Sequence, residues 1–145
     1  MKFSSFLSTL ALASTALAGQ SVIRNQCPFT VYITSVDITN SSTVAIASGG
    51  SWSEPQRYIP GVGIAIKIGT SATAEDLIQF AYTAYPSPWI YYDLNAAPKL
   101  DPLFEGQSLV LSGSAPDAPV IEWNGLAPSG TSAYWADTDL VFTLC

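Results

Sequence analysis

An all-β sandwich is the fold class this sequence predicts, and three observations carry it. Short runs place an apolar residue at every second position, as in Phe29, Val31 and Ile33 or Ile64, Ile66 and Ile68. Clusters of Gly, Pro, Ser, Asn and Asp separate the runs, with ten Gly and ten Pro in the chain. Beyond the first 18 residues no stretch repeats at the helical period, and there is no internal repeat or low-complexity tract. Strands of this kind each need one face covered, which two sheets packed together provide.

Met1 to Ala18 reads as a secretory signal. Lys2 gives a short positive start, Phe3 to Leu17 is apolar and small, and Ala16-Leu17-Ala18 has the small-x-small form of a cleavage site. It is too short for a membrane span, and no other stretch comes near the required length. Residues 19–145 are then expected to form a single secreted domain, large enough to bury a core.

In chain order, Ser21 to Asn25 is the first strand candidate. Cys27 to Thr34 alternates Cys27, Phe29, Val31 and Ile33 with Thr30, Tyr32 and Thr34, which predicts a strand beginning at Cys27 with the cysteine facing the core. Thr43 to Ala47 follows a polar turn and is closed by Gly49-Gly50; Ser51-Trp52-Ser53 is read as connection. Ile64 to Ile68 is bounded by glycines, and Gly61-Val62-Gly63 is a turn rather than a phosphate loop, since no helix pattern follows it. Leu77 to Thr83 and Trp89 to Asn95 flank a turn at 84–88. On the first, Ile78, Phe80 and Tyr82 share a face and leave Gln79 on the other; on the second, Ile90, Tyr92 and Leu94 leave Trp89, Tyr91 and Asp93. Ala96 to Glu105, with two prolines, is the irregular segment. Gln107 to Ser112, Val120 to Asn124 and Leu140 to Cys145 complete the strands, and 125–131 is read as turn.

Composition excludes several functions. The chain has no histidine, so a Ser-His-Asp or Cys-His device is ruled out, and the commonest metal ligand is missing. Eleven acids stand against five bases, with no basic run to follow a phosphate backbone, so nucleic acid is not an expected partner. No cofactor or metal motif is present, and a monomer is expected. The two cysteines, Cys27 and Cys145, are read as a disulfide in an oxidising compartment, with free thiols or an intermolecular bridge as the alternatives. Asn40-Ser41-Ser42 is an N-glycosylation acceptor pattern in a polar turn.

Five segments resemble the small thaumatin-like proteins secreted by fungi, in particular the yeast-phase-specific antigen family. They are Asn25 to Tyr32, Gly49-Gly50-Ser51-Trp52, Ile78 to Tyr82, Tyr91 to Asn95 and Val141 to Cys145. The resemblance runs over most of residues 19–145; against the larger plant thaumatins only the ends and central strands match. It implies a thaumatin-like β-sandwich of short antiparallel strands and an extracellular or cell-wall location. It also implies that Cys27 and Cys145 reproduce the family's bridge from an early cysteine to the C-terminus. For larger members it implies an acidic cleft that binds, and in some cases hydrolyses, β-1,3-glucan. Asp93 matches the aspartate of the family's Tyr-Asp strand, but Gln79 stands where cleft-bearing members have Glu. Gln can hydrogen-bond a sugar and cannot exchange the proton that paired-acid hydrolysis needs.

Asp93 with Trp89 and Tyr91 is the strongest constellation, because sugar rings present CH faces to aromatics and hydroxyls to carboxylates. Core filling is the structural alternative. Glu75-Asp76 and Asp137-Thr138-Asp139 are expected to be turn residues before they are a cleft or a Ca²⁺ site; Tyr134-Trp135 and Glu122-Trp123 could extend an aromatic surface. The sequence thus points to a secreted, non-catalytic protein binding β-1,3-glucan through Gln79, Trp89, Tyr91 and Asp93. One alternative is a weak glucanase using Asp93 with Asp101, Glu105 or Asp137; another is a secreted antigen or effector that binds a host protein.

Overall fold

The computed structural model describes residues 19–126 and 129–145; the signal reading over residues 1–18 falls outside them. Eleven strands are present among the described residues: β1 (Gln20–Asn25), β2 (Val31–Val36), β3 (Val44–Ile46), β4 (Ser51–Pro55), β5 (Ile64–Gly69), β6 (Ile78–Tyr85), β7 (Trp89–Ala96), β8 (Leu109–Gly113), β9 (Val120–Trp123), β10 (Thr131–Tyr134) and β11 (Leu140–Leu144). A 3-10 turn, Pro102–Phe104, lies in the 97–108 connection. The strands form two sheets, ordered β4-β1-β11-β8-β9 and β10-β7-β6-β5-β2-β3.

The period-two pattern decides which side chains meet between the sheets. Ile64, Ile66, Ile68, Ile78, Phe80, Tyr82, Ile90, Tyr92 and Leu94 are buried on one side, and Ile23, Leu109, Leu111, Leu140, Phe142 and Leu144 on the other. Phe80 meets Phe142 across the gap, edge to face at 6.0 Å. Each large side chain removed from water contributes about 1.5 to 3 kcal/mol, so this interior is the main stabilising term. Tyr92 is buried because its hydroxyl has a partner, donating to the Pro119 carbonyl at 2.5 Å.

One pairing departs from the expected antiparallel arrangement: β1 and β11 lie side by side in parallel, with Asn25 opposite Leu144. Their C-terminal ends therefore emerge together, and Gln26 N–H donates to the Leu144 carbonyl at 2.9 Å. Cys27 and Cys145 follow at once and are joined, with Cα atoms 4.9 Å apart. The Cys27 side is fully buried, as its place in the alternation implies.

The strand expected from Cys27 begins instead at Val31. Residues 26–30 wrap round Asn25, whose fully buried amide Nδ2 donates to the carbonyls of Phe29 and Ile46, both at 2.9 Å, while Oδ1 accepts from Cys27 N–H at 3.0 Å. Pro28, with no N–H to give a ladder, suits this bend. Gly49, in the left-handed region at φ 77°, closes the facing turn and donates to the Asn25 carbonyl at 2.7 Å.

Two strands were not legible in the pattern. β4 and β10 are both edge strands, and their sequences, Ser-Trp-Ser-Glu-Pro and Thr-Ser-Ala-Tyr, carry only a weak apolar alternation. An edge strand is half-solvated and is held by its neighbour's ladder, here β1 and β7, more than by its own side chains. The turn expected over 125–131 gives way to β10 from Thr131.

Candidate functional site

The outward face of the six-stranded sheet carries the predicted residues. On β7, Trp89, Tyr91, Asp93 and Asn95 point out, and on β6, Gln79, Ala81, Thr83 and Tyr85, because the alternate residues fill the core. The register sets Tyr85 opposite Trp89, Thr83 opposite Tyr91, Ala81 opposite Asp93 and Gln79 opposite Asn95. Across the other edge of β7, Thr131 faces Asp93 and Ala133 faces Tyr91. Gln79 and Asp93 are thus diagonal neighbours on one surface.

The aromatic part of this face is larger than the sequence suggested. Trp89 is sandwiched between Tyr85 from β6, at 4.4 Å and 28°, and Trp135 beyond β10, at 4.9 Å and 10°. Tyr58 extends the row by packing on Tyr85 at 5.2 Å, and Tyr91 meets Trp89 edge-on at 5.0 Å. Trp89 is therefore the packed centre of a stack and has no open ring face to offer. Trp135, 71% exposed, is the open platform. Tyr85 could have been found by extending the Gln79, Ala81, Thr83 alternation two residues further; Tyr58 comes from a connection with no periodic signal.

Next to the stack is a depression of about 210 Å³ over Ala81, rimmed by Thr83, Tyr91, Asp93 and Thr131. Partial burial there raises the pKa of Asp93 above its ordinary 3.8, and a hydrogen bond from Asn95 Nδ2, at 3.3 Å, opposes this. A raised folded pKa means that this carboxyl contributes its stability below pH 3.8 and loses it as pH rises through the folded value. Asp93→Asn, which stays neutral, is expected to be more stable than the wild type at pH 7. The difference should vanish near pH 3, as read from urea midpoints at both pH values.

The remaining acids have structural duties or none at this face. Asp101 is buried and caps the 3-10 turn, accepting from Leu103 N–H at 3.1 Å and from the Thr70 hydroxyl. Asp139 accepts from Gln20 N–H at 2.7 Å, and the neighbouring Thr138 is buried with its carbonyl bound to Gln56. Glu75, Glu105, Glu122 and Asp137 are exposed. The structure does bring Asp37 and Glu54 together, on Arg57, at 2.9 and 2.8 Å. Hydrogen bonds from the Thr39 backbone and Arg57 lower the Asp37 pKa, so it holds no proton to donate. Among the described residues no group of three or more His, Cys, Asp or Glu is placed to hold a metal ion, and no helix is long and apolar enough to cross a membrane.

Residues 8–145 match the family described as Bys1, Blastomyces yeast-phase-specific protein. The chain belongs to this family. Among curated relatives of this Bys1 chain, the secreted thaumatin-like protein calA of Emericella nidulans is 31% identical over 121 residues, covering 77% of this chain and 68% of the relative. The crystal structure of the protein elicitor MoHrip2 from Magnaporthe oryzae superposes with a TM-score of 0.73 over 88% of this chain and 99% of that one. Its identity of 18% shows a shared fold. Fold and relatives agree on a thaumatin-like β-sandwich, and this Bys1-family protein is secreted and extracellular.

Proposed function

We propose that the protein is a non-catalytic binder of cell-wall polysaccharide, with β-1,3-glucan as its ligand. The observation that carries this is the stack Tyr85-Trp89-Trp135, held on a solvent face beside the half-buried Asp93 carboxyl and the Gln79 and Asn95 amides. Flat aromatic surface takes the CH faces of sugar rings, while amides and a carboxyl take their hydroxyls. Within the proposal Trp135 is the contact platform, Trp89 holds it in place, and Gln79, Tyr91 and Asp93 line the rest.

A glucanase reading would need a second carboxyl group across the scissile bond from Asp93. Gln79 fills the nearest diagonal position, Asp101 is committed to its cap, and burial and Asn95 are the two influences on Asp93. These features favour binding over hydrolysis. The wild-type protein should be retained on insoluble β-1,3-glucan and release no reducing sugar, and Trp135→Ala should weaken retention about tenfold or more. Wild-type protein that passes straight through the glucan, or sugar release that stops in Asp93→Asn, would refute it.

Asn40 is exposed at the end of the 37–40 turn, on the rim of a small depression that Thr34, Val36 and Lys67 also line. Within the same proposal it is glycosylated. Protein secreted from a eukaryotic host should lose mass on enzymatic deglycosylation, and Asn40→Gln should abolish that loss.

A further inference from the structure

Gly19 and Gln20, where β1 begins, are gripped by groups distant in sequence. The Gly19 carbonyl accepts from Gln56 N–H at 2.7 Å, and Gln20 N–H donates to Asp139 Oδ1 at 2.7 Å. The Gln56 side chain, 7% exposed, closes over them, its Nε2 donating to the carbonyls of Gln20 and Thr138, both at 3.1 Å. Gly19 itself has no room for a side chain. A Cβ there would stand 2.6 Å from Gln56 Oε1 and 2.7 Å from the Thr138 carbonyl oxygen, and the second of these is backbone. The groups nearest this residue are thus acceptor oxygens, one of them on a carboxylate. The α-nitrogen is one bond from the Gly19 Cα, which places it within about 6 Å of all three oxygens. A negative charge at that range favours the charged form of an amine.

We infer that proteolytic cutting between Ala18 and Gly19 leaves an ammonium group on Gly19 that docks among Asp139, the Thr138 carbonyl and Gln56 Oε1, so that the new N-terminus becomes a structural cation of the fold. Ala16-Leu17-Ala18 is the small-x-small pattern that directs a signal peptidase to this bond. Water supplies the hydroxyl of the Ala18 carboxyl and one hydrogen of the Gly19 amine, which takes a further proton from solvent. A peptide nitrogen at Gly19 has one hydrogen and no charge, whereas the ammonium has three hydrogens and a full charge to match several acceptors. The other charges around it leave the site negative. Asp137 is exposed two residues before Asp139, Glu54 lies opposite Ser21 on β4, and Arg57, which follows Gln56, is paired with Asp37 and Glu54. The connection after β8 meets Asp139 through the uncharged Ser114.

The test uses protein secreted from a eukaryotic host. After enzymatic deglycosylation its intact mass should be that of residues 19–145. Competitive labelling of the α-amine over a range of pH, read by mass spectrometry on the N-terminal peptide, should give a pKa above the ordinary value of about 7.7 to 8.0. Asp139→Asn keeps an acceptor for Gln20 N–H and removes the charge, so it should bring that pKa back toward the ordinary range. A raised amine pKa contributes stability that is fully present below the unfolded value and is lost as pH rises through the folded one. The excess of the wild-type urea midpoint over that of Asp139→Asn should therefore shrink from pH 7 to pH 10, whereas a loss of the Gln20 hydrogen bond alone would shift both equally. If Asp139→Asn does not fold, acetylating the α-amine of the wild type should lower its midpoint at pH 7. A secreted chain beginning at any residue other than Gly19 would overturn the inference. So would a wild-type α-amine pKa at or below about 8, one that Asp139→Asn leaves unchanged, or a midpoint indifferent to acetylation.

Discussion

Replacing both Cys27 and Cys145 by serine is expected to lower the stability of this protein by about 5 kcal/mol on a chain-entropy basis, within a usual measured range of about 2 to 5. The bridge spans 118 residues, close to the whole described chain, so breaking it releases the widest loop this sequence can close. It also ties off the parallel β1 and β11 pair at the point where both strands end. Urea unfolding of the double variant should show a lower midpoint and a larger fall than a surface Ser substitution gives. The same shift should follow from reducing the wild-type protein. A change below about 1 kcal/mol would mean that the strand pairing alone fixes the ends.

The second large effect is expected at Asn25. Its side chain makes three hydrogen bonds inside the fold, two given to carbonyls and one accepted from Cys27 N–H. Asn25→Ala leaves those three backbone groups unpaired, and at about 1 to 3 kcal/mol for each buried group the sum is about 3 to 5 kcal/mol, allowing for partial relaxation. Asn25→Asp keeps the shape and should be comparably damaging at pH 7, because a carboxylate has no hydrogen to offer two facing carbonyls. Protonation restores one donor. A buried carboxyl in this place has a raised folded pKa, so its stability is present below the unfolded value near 4 and lost as pH rises. The Asn25→Asp deficit should therefore shrink from pH 7 to pH 4 while the Asn25→Ala deficit stays. Equal deficits at both pH values would show that the amide donors are not the cause.

Asn25 also shows why parts of the fold were hidden in the sequence. Its neighbours Ile23, Cys27 and Val31 read as continuous alternation, and nothing local reveals that a buried amide will draw residues 26–30 into a bend around itself. The carbonyls and N–H that it binds come from positions as far as Ile46, which only a folded chain brings close. β4 and β10 were hidden for a related reason, since each is an edge held by a partner strand distant in sequence.

The candidate face divides in the same way. Gln79, Tyr91 and Asp93 were legible because period-two alternation assigns every residue of a strand to one of two faces. The roles of the tryptophans were not. Whether a ring is a platform or a filler depends on what covers it, and Trp89 is covered by Tyr85 and Trp135 from two other strands' neighbourhoods. Asp101 was a candidate second acid for a glucanase, yet it is held by the Leu103 N–H two residues on and by the distant Thr70 hydroxyl, while Asp139, read as a turn residue, accepts from the distant Gln20 N–H.

The sequence by itself determined the class of fold, the core face of the main strands and the outward placement of Gln79 and Asp93. All of these follow from residue type and from the alternation of neighbours along one strand. Only the tertiary structure decided the parallel β1 and β11 pairing, the closing of Cys145 on Cys27, the bend around Asn25 and the exposed position of Trp135. Those depend on register between strands far apart in the chain, which local alternation leaves unspecified.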